Sequence, residues 1–310
     1  GVQTCALPIY RIISTRRLLE RMHEDNDVQV DQKLALRARL FDMWIGDWDR
    51  HDDQWRWGEF DQKKVKLFKP IPRDRDHAFF VNQGFAPHRW RRRHIFPNLE
   101  GFDYDIRWAP GIMLAGRYFD RTFLNQMTES DFAAAAKDLA AHMTNNVIDS
   151  AMHAWPESIR KYHGDVIASK LIARRAILVK NARVYYKFLA KQVDVVGSNK
   201  REWIDAEWLP GGNLEVKMFK RDKEGGRGRL LYERKFINGE TKELRFYGLG
   251  GDDMFHFSGS ANAAIKTRIV GGEGNDRIYD SGGANRIHGD VGDDDIYGGT
   301  WHDAVYGGDG

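Results

Sequence analysis

The sequence predicts an α+β protein with three consecutive parts: a mostly helical body, an antiparallel β meander and a C-terminal parallel β-roll. Three observations support this prediction. Apolar residues recur at helical spacing through much of residues 10–192. From Val193 they alternate with polar residues, which is typical of strands. Residues 248–310 are rich in Gly and Asp and contain a nine-residue repeat.

The composition is that of an ordinary folded protein. The chain is 42% hydrophobic and 30% charged, which excludes a disordered chain. No apolar run approaches the roughly 18 residues that span a bilayer. The single cysteine, Cys5, excludes an internal disulfide and a thiolate metal cluster. The net charge is +3, yet residues 248–310 carry ten Asp and one Glu against three Arg and one Lys, so an acidic tail follows a basic body.

The first part of the chain is predicted to be mainly helical. Residues 1–9, GVQTCALPI, do not lead into a capped element and are expected to be a non-native leader. Residues 31–45 have a helical pattern that ends at Gly46. The stretch KKVKLFKPI, residues 63–71, is predicted to be a strand.

Three helices are predicted further along the same part. Thr128 and Asp131 form a capping-box pattern at the start of one helix. Pro156 marks the start of a second helix, and residues 165–192 are predicted to form a third, long one.

The second part, residues 193–247, is predicted to be a meander. The strands EWIDAEWL, NLEVKMF, RLLYERKF and KELRFYG are separated by the turn sequences PGGN, KEGGRG and NGE. We expect a structural role for it and assign it no chemistry.

The third part, residues 248–310, contains a nonapeptide repeat. Residues 271–306 form the rows GGEGNDRIY, DSGGANRIH, GDVGDDDIY and GGTWHDAVY, and residues 248–256 are an outlying copy ahead of a short insertion. The sixth position is acidic or amide in every row, and the eighth is Ile or Val: Asp276, Asn285, Asp294 and Asp303; Ile278, Ile287, Ile296 and Val305. A Gly/Asp-rich linker is the alternative, but four rows in register favour a folded repeat.

These rows resemble the GGxGxDxUx nonapeptide of RTX (hemolysin-type) proteins, which form calcium-binding parallel β-rolls. The resemblance implies Ca2+ between a loop and the next-but-one loop, held by carboxylate and carbonyl oxygens. The implied ligands of one site are Gly272, Gly274, Asp276, Gly289, Val291 and Asp294. Those of a second site are Asn285, Gly298, Thr300 and Asp303, and Asn285 in place of an Asp predicts weaker binding there.

The stretch GDWDRHDDQWRW, residues 46–57, combines four Asp with three Trp, which indicates a walled polar site. Gln54 follows Asp49 by five residues, and PIPRDRDHAF, residues 70–79, brings Asp74 and Asp76 after a strand. This pattern resembles the C-lobe of atypical kinases of the spore-coat H, HipA-like and secretory-pathway groups, over residues 10–192.

The resemblance implies a role for each of these residues. Asp49 would be the base for the acceptor hydroxyl, with Arg50 and His51 orienting its loop. Gln54 and either Asp74 or Asp76 would hold the Mg2+ that bridges the phosphates of ATP. Gln54 departs from the usual Asn. The sequence contains no Gly-rich loop, strand Lys or helix Glu of an N-lobe, so this fragment alone is expected to be inactive.

Two further motifs leave alternatives open. His51-Asp52 is compatible with an HD-type metal hydrolase, but further spaced ligands are not identified. The stretch HRWRRRHIF, residues 88–96, is a solvated loop or a site for a phosphorylated or anionic ligand near Arg89, Arg91, Arg92 and Arg93. Phosphate is favoured there over nucleic acid.

The order of the three parts resembles the central region of long bacterial envelope proteins. It implies a location outside the cytoplasm, in the cell envelope or secreted, where millimolar calcium suits low-affinity loops. We therefore expect a calcium-binding segment with an atypical kinase-like phosphotransferase C-lobe. The alternative is a non-catalytic envelope module with a degenerate kinase-like fold and calcium-stabilised repeats.

Overall fold

The structure is a computed structural model that describes residues 9–62, 64–81, 100–259, 265–282, 285–299 and 303–309. The chain divides into two compact units. The repeat unit consists of Gly1–Val30, Trp57–Phe68 and Leu189–Gly310, and the helical unit of Asp31–Arg56 and Lys69–Phe188. The domains predicted from sequence, 10–192, 193–247 and 248–310, are continuous, whereas these units are interleaved. Helix and strand each account for 36% of the chain, which confirms the α+β class.

The N-terminal elements begin with strand β1 (Arg11–Ser14), helix α1 (Thr15–Glu24) and strand β2 (Val28–Val30). Strands β3 (Trp55–Gln62) and β4 (Val65–Pro72) complete a four-stranded sheet of order β1-β3-β4-β2. The Ser14 side chain accepts the backbone N–H of Arg17 and so caps α1.

The described part of the helical unit contains α2 (Gln32–Ile45), α3 (Ala109–Ile112), α4 (Arg117–Phe123), α5 (Glu129–His142), α6 (Asn145–His153) and α7 (Glu157–Leu189). Helix α2 forms as predicted, because Asp31 caps its start and Gly46, at φ 75°, takes the left-handed conformation at its end. The capping box of Thr128 and Asp131 at the start of α5 is also present.

Helix α7 differs from the prediction. The sequence predicts one helix after Pro156 and another from residue 165, whereas the structure has a single helix of 33 residues. Gly164 lies inside it. A glycine within a helix costs about 1 kcal/mol. Burial of Leu171 and Leu178 on the same helix outweighs that cost.

The C-terminal half of the repeat unit contains two sheets. Its strands are β5 (Gln192–Val196), β6 (Glu202–Leu209), β7 (Asn213–Arg221), β8 (Arg227–Phe236), β9 (Glu243–Gly250), β10 (Met254–Ser258), β11 (Lys266–Glu273), β12 (Arg277–Tyr279), β13 (Asn285–Val291), β14 (Asp295–Tyr297) and β15 (Ala304–Asp309). One sheet has the order β14-β12-β10-β6-β7-β8, and the other has the order β15-β13-β11-β9-β5.

Apart from β7 and β8, successive strands alternate between the two sheets, and neighbours within a sheet are parallel. We call this arrangement the parallel coil. Its turns are β5–β6, β9–β10, β11–β12 and β13–β14, followed by β15. Each turn of the repeat proper uses two nonapeptides, since β11 pairs with β13 in a register that places Ile269 opposite Ile287.

The predicted meander over residues 193–247 is only partly antiparallel. Strands β6, β7 and β8 are antiparallel neighbours, as predicted. Strand β9 instead pairs in parallel with β5 and β11 in the other sheet. The reason is that β5–β6 is already a turn of the coil, with the β7–β8 hairpin inserted before the next turn.

The core of the coil lies between the two sheets. Phe246, Ile269 and Ile287 from one sheet, and Phe255 and Ile278 from the other, are fully buried. The apolar eighth position therefore packs inward in these rows, as the repeat predicts, whereas Val305 is half exposed. No helix among the described residues is long and apolar enough to cross a membrane.

Candidate functional site

A ladder of hydrogen bonds links the sixth positions of successive turns of the coil. The backbone N–H of Glu202 donates to Oδ1 of Asp253 at 2.7 Å, and that of Asp253 donates to Oδ1 of Asp276 at 2.8 Å. The backbone N–H of Asp276 then donates to Oδ1 of Asp294 at 2.9 Å. We call the side of the coil that carries these loops the ladder edge.

The second carboxylate oxygen of each Asp in this ladder is buried and has no hydrogen-bond partner among the described residues. This holds for Oδ2 of Asp253, Asp276 and Asp294. A buried polar atom left unpaired costs about 1–3 kcal/mol, and a charged one costs more. Three repetitions of that cost at equivalent positions indicate that the edge is built for a ligand that supplies positive charge.

A backbone carbonyl of the next turn accompanies each of these oxygens. A Cβ atom added at Gly271 would lie within 3.0 Å of both Oδ2 of Asp276 and the carbonyl oxygen of Gly289. The equivalent glycines repeat this geometry: Gly248 beside Asp253 and the Gly271 carbonyl, and Gly289 beside Asp294 and the Gly307 carbonyl. The missing side chains leave room where a carboxylate and a carbonyl face the same space.

Hard oxygen donors of this kind fit Ca2+, which takes six to eight oxygen ligands in flexible geometry. Among the described residues no three His, Cys, Asp or Glu side chains form a metal-binding group. Backbone carbonyls would therefore have to supply much of the coordination.

The first turn of the ladder differs from the others. Both carboxylate oxygens of Glu202 are occupied, since Oε1 accepts from Asn26 Nδ2 at 2.6 Å and from Ser198 Oγ at 2.7 Å, and Oε2 accepts from the Ser198 backbone N–H at 3.1 Å. Neutral donors thus occupy both carboxylate oxygens of Glu202, so the first turn of the ladder leaves no carboxylate oxygen of Glu202 unpaired for a cation.

The structure brings together part of the predicted calcium set. Asp276 and the Gly289 carbonyl face one space, and Asp294 faces the next one. The Val291 carbonyl accepts the Gly274 N–H at 2.9 Å, so it takes part in the hydrogen bonding between successive turns. Gly272 and Gly274 have φ values of 112° and 132°, and a side chain on either would strike a carbonyl of the preceding turn. These two glycines are needed for the close approach of the turns.

Three groups that line these spaces are not in the predicted set: Asp253 and the carbonyls of Gly271 and Gly307. Asp253 is the sixth residue of the outlying copy at 248–256, so its position in the row is the signal that identifies it. The two carbonyls belong to the first positions of the rows that begin at residues 271 and 307, which the sequence pattern marks only as glycine.

The opposite edge of the coil is organised differently, and we call it the amide edge. Asn285 donates its side-chain amide to the Asp280 carboxylate, and its backbone N–H donates to Oδ1 of Asp303 at 3.0 Å. Oδ2 of Asp303 accepts the Gly299 N–H at 3.2 Å. The other two predicted ligands of this edge are Gly298 and Thr300. Gly298 directly precedes Gly299, and Thr300 lies outside the described residues. On the amide edge the Asn285 side chain therefore pairs with the Asp280 carboxylate, whereas on the ladder edge one oxygen of each Asp carboxylate is unpaired.

Burial and mutual repulsion raise the pKa values of the ladder carboxyls. Burial, with the nearby Glu202 and Asp276, raises the pKa of Asp253 to about 10. Burial and Asp294 raise the pKa of Asp276 to about 6. Because these pKa values are raised, the folded chain without calcium holds the protons of Asp253 and Asp276 more tightly than the unfolded chain does, and protonation stabilises the fold. This contribution to stability is fully present below pH about 4. It is lost as the pH rises through about 6 for Asp276 and about 10 for Asp253.

We therefore predict that calcium binding releases protons. At pH 7.5 the Asp253 carboxyl is protonated in the absence of calcium, and binding of Ca2+ beside it would expel about one proton. Calorimetric titration of calcium in two buffers of different ionisation enthalpy measures this number. The same heat of binding in both buffers would contradict the prediction.

The kinase-like residues lie in and beside the loop that follows α2. His77 Nε2 is 3.7 Å from Oδ2 of Asp49 and 3.8 Å from Oδ1 of Asp76, so two carboxylates flank one imidazole. Asp49 is partly exposed and the Asp76 side chain is 66% exposed. Asp74 is also exposed and has a left-handed backbone, at φ 52°. His77 did not figure in the sequence prediction, although it directly follows Asp76.

Arg50 and Gln54 lie in a buried network. The Arg50 guanidinium donates to Oε1 of Gln54 at 3.0 Å and to the backbone carbonyls of Arg73 and Asp74. It also stacks on Trp55 at 4.7 Å. The amide oxygen expected to bind Mg2+ thus already faces a cation. Arg50 is fully buried, whereas His51 is exposed.

Further buried charges surround this loop, and the sequence analysis did not identify them. Arg39 donates to both carboxylate oxygens of Asp120, at 2.7 and 3.0 Å, and to Asp42 at 3.2 Å. Asp42 also accepts from Arg50 and Arg75. A helical pattern does not distinguish these charges from exposed ones, because the main partner of Arg39, Asp120, lies 81 residues along the chain.

The basic segment at residues 88–96, with Arg89, Arg91, Arg92 and Arg93, lies outside the described residues. The anionic ligand predicted there remains a prediction.

Comparison with known protein families identifies the repeat. Residues 270–300 match the RTX calcium-binding nonapeptide repeat, in four copies. The match confirms the nonapeptide repeat and implies that this part of the chain binds Ca2+. It covers a small part of the chain and lies outside residues 10–192, for which the kinase-like resemblance stays a prediction. No curated protein and no solved structure matches the chain.

Proposed function

We propose that the parallel coil binds Ca2+ along its ladder edge and that calcium stabilises the repeat unit. The observation that supports this proposal is the set of three buried Oδ2 atoms, on Asp253, Asp276 and Asp294, for which the described part of the chain provides no hydrogen-bond partner. Each would bind one ion together with the adjacent carbonyl, of Gly271, Gly289 and Gly307 respectively. Other oxygens of the same loops would complete the coordination.

Electrostatics support the same proposal. Burial raises the pKa of each of the three carboxyls, and neighbouring acidic residues raise it further. A divalent cation between the turns converts this repulsion into attraction. It also removes the cost of the unpaired oxygens.

The amide edge is proposed to bind calcium more weakly. Asn285 supplies a neutral donor to Asp280, and its amide contributes no negative charge toward a cation. The coil would thus have one edge stabilised by calcium and one stabilised by hydrogen bonds.

Replacing Asp276 with Asn is expected to weaken calcium binding at its site at least tenfold, because the change removes one charged ligand. The matched control is Asp295→Asn, which removes the same charge from an exposed side chain that pairs with Arg277 at 3.3 Å. Calorimetric titration of calcium into the full chain compares the two variants. Equal affinity for both would contradict the assignment of the ladder edge.

A location outside the cytoplasm is part of this proposal. RTX repeats are typical of secreted bacterial proteins. Sites rich in carbonyls and poor in carboxylates suit the millimolar calcium of extracellular fluid.

A second candidate function is phosphotransfer at the kinase-like loop, using Mg2+ and ATP. The observation that favours it is the pair of partly exposed carboxylates of Asp49 and Asp76 around His77. The observation that favours the alternative, a non-catalytic envelope module, is the Gln54 amide oxygen held by Arg50.

Manganese binding distinguishes the two. With calcium saturating the coil, a metal-binding kinase-like site predicts enhanced water proton relaxation when Mn2+ and ATP are added. Asp76→Asn should abolish the enhancement, and Asp61→Asn, at an exposed position on β3, should leave it unchanged. No enhancement with the unaltered chain would favour the non-catalytic module.

A further inference from the structure

The outer face of one sheet of the coil carries a column of arginines. In the sheet β15-β13-β11-β9-β5, Phe246, Ile269 and Ile287 are fully buried, so the residue before each of them faces outward. The register places these outward residues directly opposite one another on neighbouring parallel strands: Arg245, Arg268 and Arg286. We call this outer face the basic face.

Carboxylates of the chain lie close to only the first arginine of this column. Arg245 Nε is 3.9 Å from Oδ1 of Asp194 and 3.4 Å from Oε1 of Glu243. Within the described parts of the chain, the side chains of Arg268 and Arg286 have no ion pair or hydrogen bond. Like charges directly opposite each other on neighbouring strands destabilise a sheet. The adjacent Arg268 and Arg286 therefore carry a cost that an external anion would remove.

The other sheet of the coil treats the same position of the repeat differently. There the seventh residues of two rows, Arg277 and Asp295, are opposite each other, with Nε 3.3 Å from Oδ2. The repeat can thus neutralise this position with its own Asp. On the basic face it instead places Arg opposite Arg, and Lys266, two residues before Arg268, adds a further cation with no ion pair among the described residues.

The spacing of the column favours a linear polymer as the anion. Neighbouring strands lie about 4.8 Å apart, so guanidinium groups recur at about this interval along the coil. One sugar residue of an extended polysaccharide has a similar length. If each sugar carries a carboxylate, successive carboxylates can each meet one guanidinium, which binds carboxylates through paired N–H groups. The phosphates of a single-stranded nucleic acid are further apart, and those of inorganic polyphosphate are closer together.

A second column beside the arginines suits the sugar rings. It lies two residues further along each strand and consists of Tyr247, Val270, His288 and Tyr306. The rings of His288 and Tyr306 stack with their centroids 4.7 Å apart, and Tyr306 is 50% exposed. Tyr and His side chains combine an apolar body with a polar tip, which matches the mixture of C–H and hydroxyl groups on a pyranose ring. A polyanion without sugar rings would gain nothing from this column.

We propose that the basic face binds a linear acidic polysaccharide that carries a carboxylate on every sugar residue. The polymer would cross the strands, with successive carboxylates at Arg286, Arg268 and Arg245 and its rings beside the second column. The hydrogen-bonded sheet holds both columns in place, which lowers the entropic cost of binding. The basic face shares no side chain with the proposed calcium ligands, so this proposal does not depend on the calcium proposal.

The test is calorimetric titration of the full chain, with the same free calcium concentration in both solutions. Trigalacturonate has three carboxylates on successive sugars, whereas a hyaluronan hexasaccharide has three on alternate sugars, so the two probes have equal charge and different spacing. Maltotriose has three sugars and no charge. We expect a dissociation constant of about 1 mM or tighter for trigalacturonate, and binding of each other probe at least about tenfold weaker.

Two double variants locate the site. Arg268→Gln with Arg286→Gln should weaken binding of trigalacturonate at least about tenfold. Arg277→Gln with Lys235→Gln removes the same charge from exposed positions on the other sheet and should change the affinity less than about twofold. Circular dichroism establishes that both variants fold.

Four results would overturn the proposal. The first is no saturable binding of trigalacturonate up to about 10 mM. The second is an equal loss of affinity in both double variants, which would reveal attraction by net charge alone. The third is equal affinity for the hyaluronan hexasaccharide, which would refute the match of spacing. The fourth is tighter binding of a thymidine oligonucleotide with three phosphates, which would assign the face to nucleic acid.

Discussion

Removing calcium with a chelator is expected to lower the unfolding temperature of the repeat unit by more than about 15 °C. One site at a calcium concentration 100 times its dissociation constant contributes about 2.7 kcal/mol, and three such sites contribute about 8 kcal/mol. A unit of this size loses roughly 2–4 °C per kcal/mol. Calorimetric melting with calcium and with chelator measures the shift. The transition of the helical unit should stay in place, because all proposed ligands lie in the repeat unit.

Magnesium provides the ionic control for this experiment. Mg2+ demands a tighter octahedral geometry and keeps its water, so it should not restore the transition that chelation lowers. Equal recovery with either ion would indicate general screening of the acidic repeat rather than specific sites.

Two glycines provide a matched pair of variants for the same experiment. Gly289→Ala places a methyl group beside Oδ2 of Asp294 and the Gly307 carbonyl, so it should destabilise the calcium-loaded unit by about 1–3 kcal/mol and block one site. Gly307→Ala alters the same position of the next-but-one row, where no atom of the described residues lies within 4 Å of the added carbon. It should be close to neutral. Equal melting of the two variants would argue against a calcium space at Gly289.

The repeat could be predicted from sequence because its period is short and each position has one physical role. Glycines at fixed places permit close turns, and an apolar residue such as Ile278 must face the core. The pairing of β5 with β9 could not be predicted in this way. The β7–β8 hairpin separates the first turn from the second, and the first turn has Glu202 where the later ones have Asp.

The kinase-like loop shows a different limit of sequence reasoning. The spacing of Asp49 and Gln54 suggests two residues that act on one ligand, but spacing does not tell which neighbour occupies each side chain. In the structure Asp49 lies near His77, whereas Gln54 bonds Arg50 inside the helical unit. Gln54 is buried whereas Asp49 is partly exposed, and spacing alone does not reveal this difference.

Replacing Asp120 with Ala is expected to destabilise the helical unit by about 3–5 kcal/mol, because it leaves the Arg39 guanidinium buried without its main partner. Both side chains are almost completely buried, and Asp120 also accepts a hydrogen bond from the Tyr185 hydroxyl. Burial would lower the pKa of Arg39, but the charge and hydrogen bonds of Asp120, together with the Asp42 charge, outweigh burial and the pKa is raised. Urea unfolding followed by helical circular dichroism measures the loss.

The same helix offers the matched control. Arg37, two residues before Arg39 on α2, pairs with Asp138, and both side chains are more than 40% exposed. Asp138→Ala should therefore cost at most about 1 kcal/mol. If the two variants unfold at the same urea concentration, the buried pair does not hold α2. Arg39 and Arg50 share the Asp42 carboxylate, so the Arg50 contacts that position the Asp49 loop would then need another support. If Asp120→Ala alone is destabilised, the buried pair of Arg39 and Asp120 stabilises the helical unit, and Asp42 links that pair to Arg50 beside Asp49.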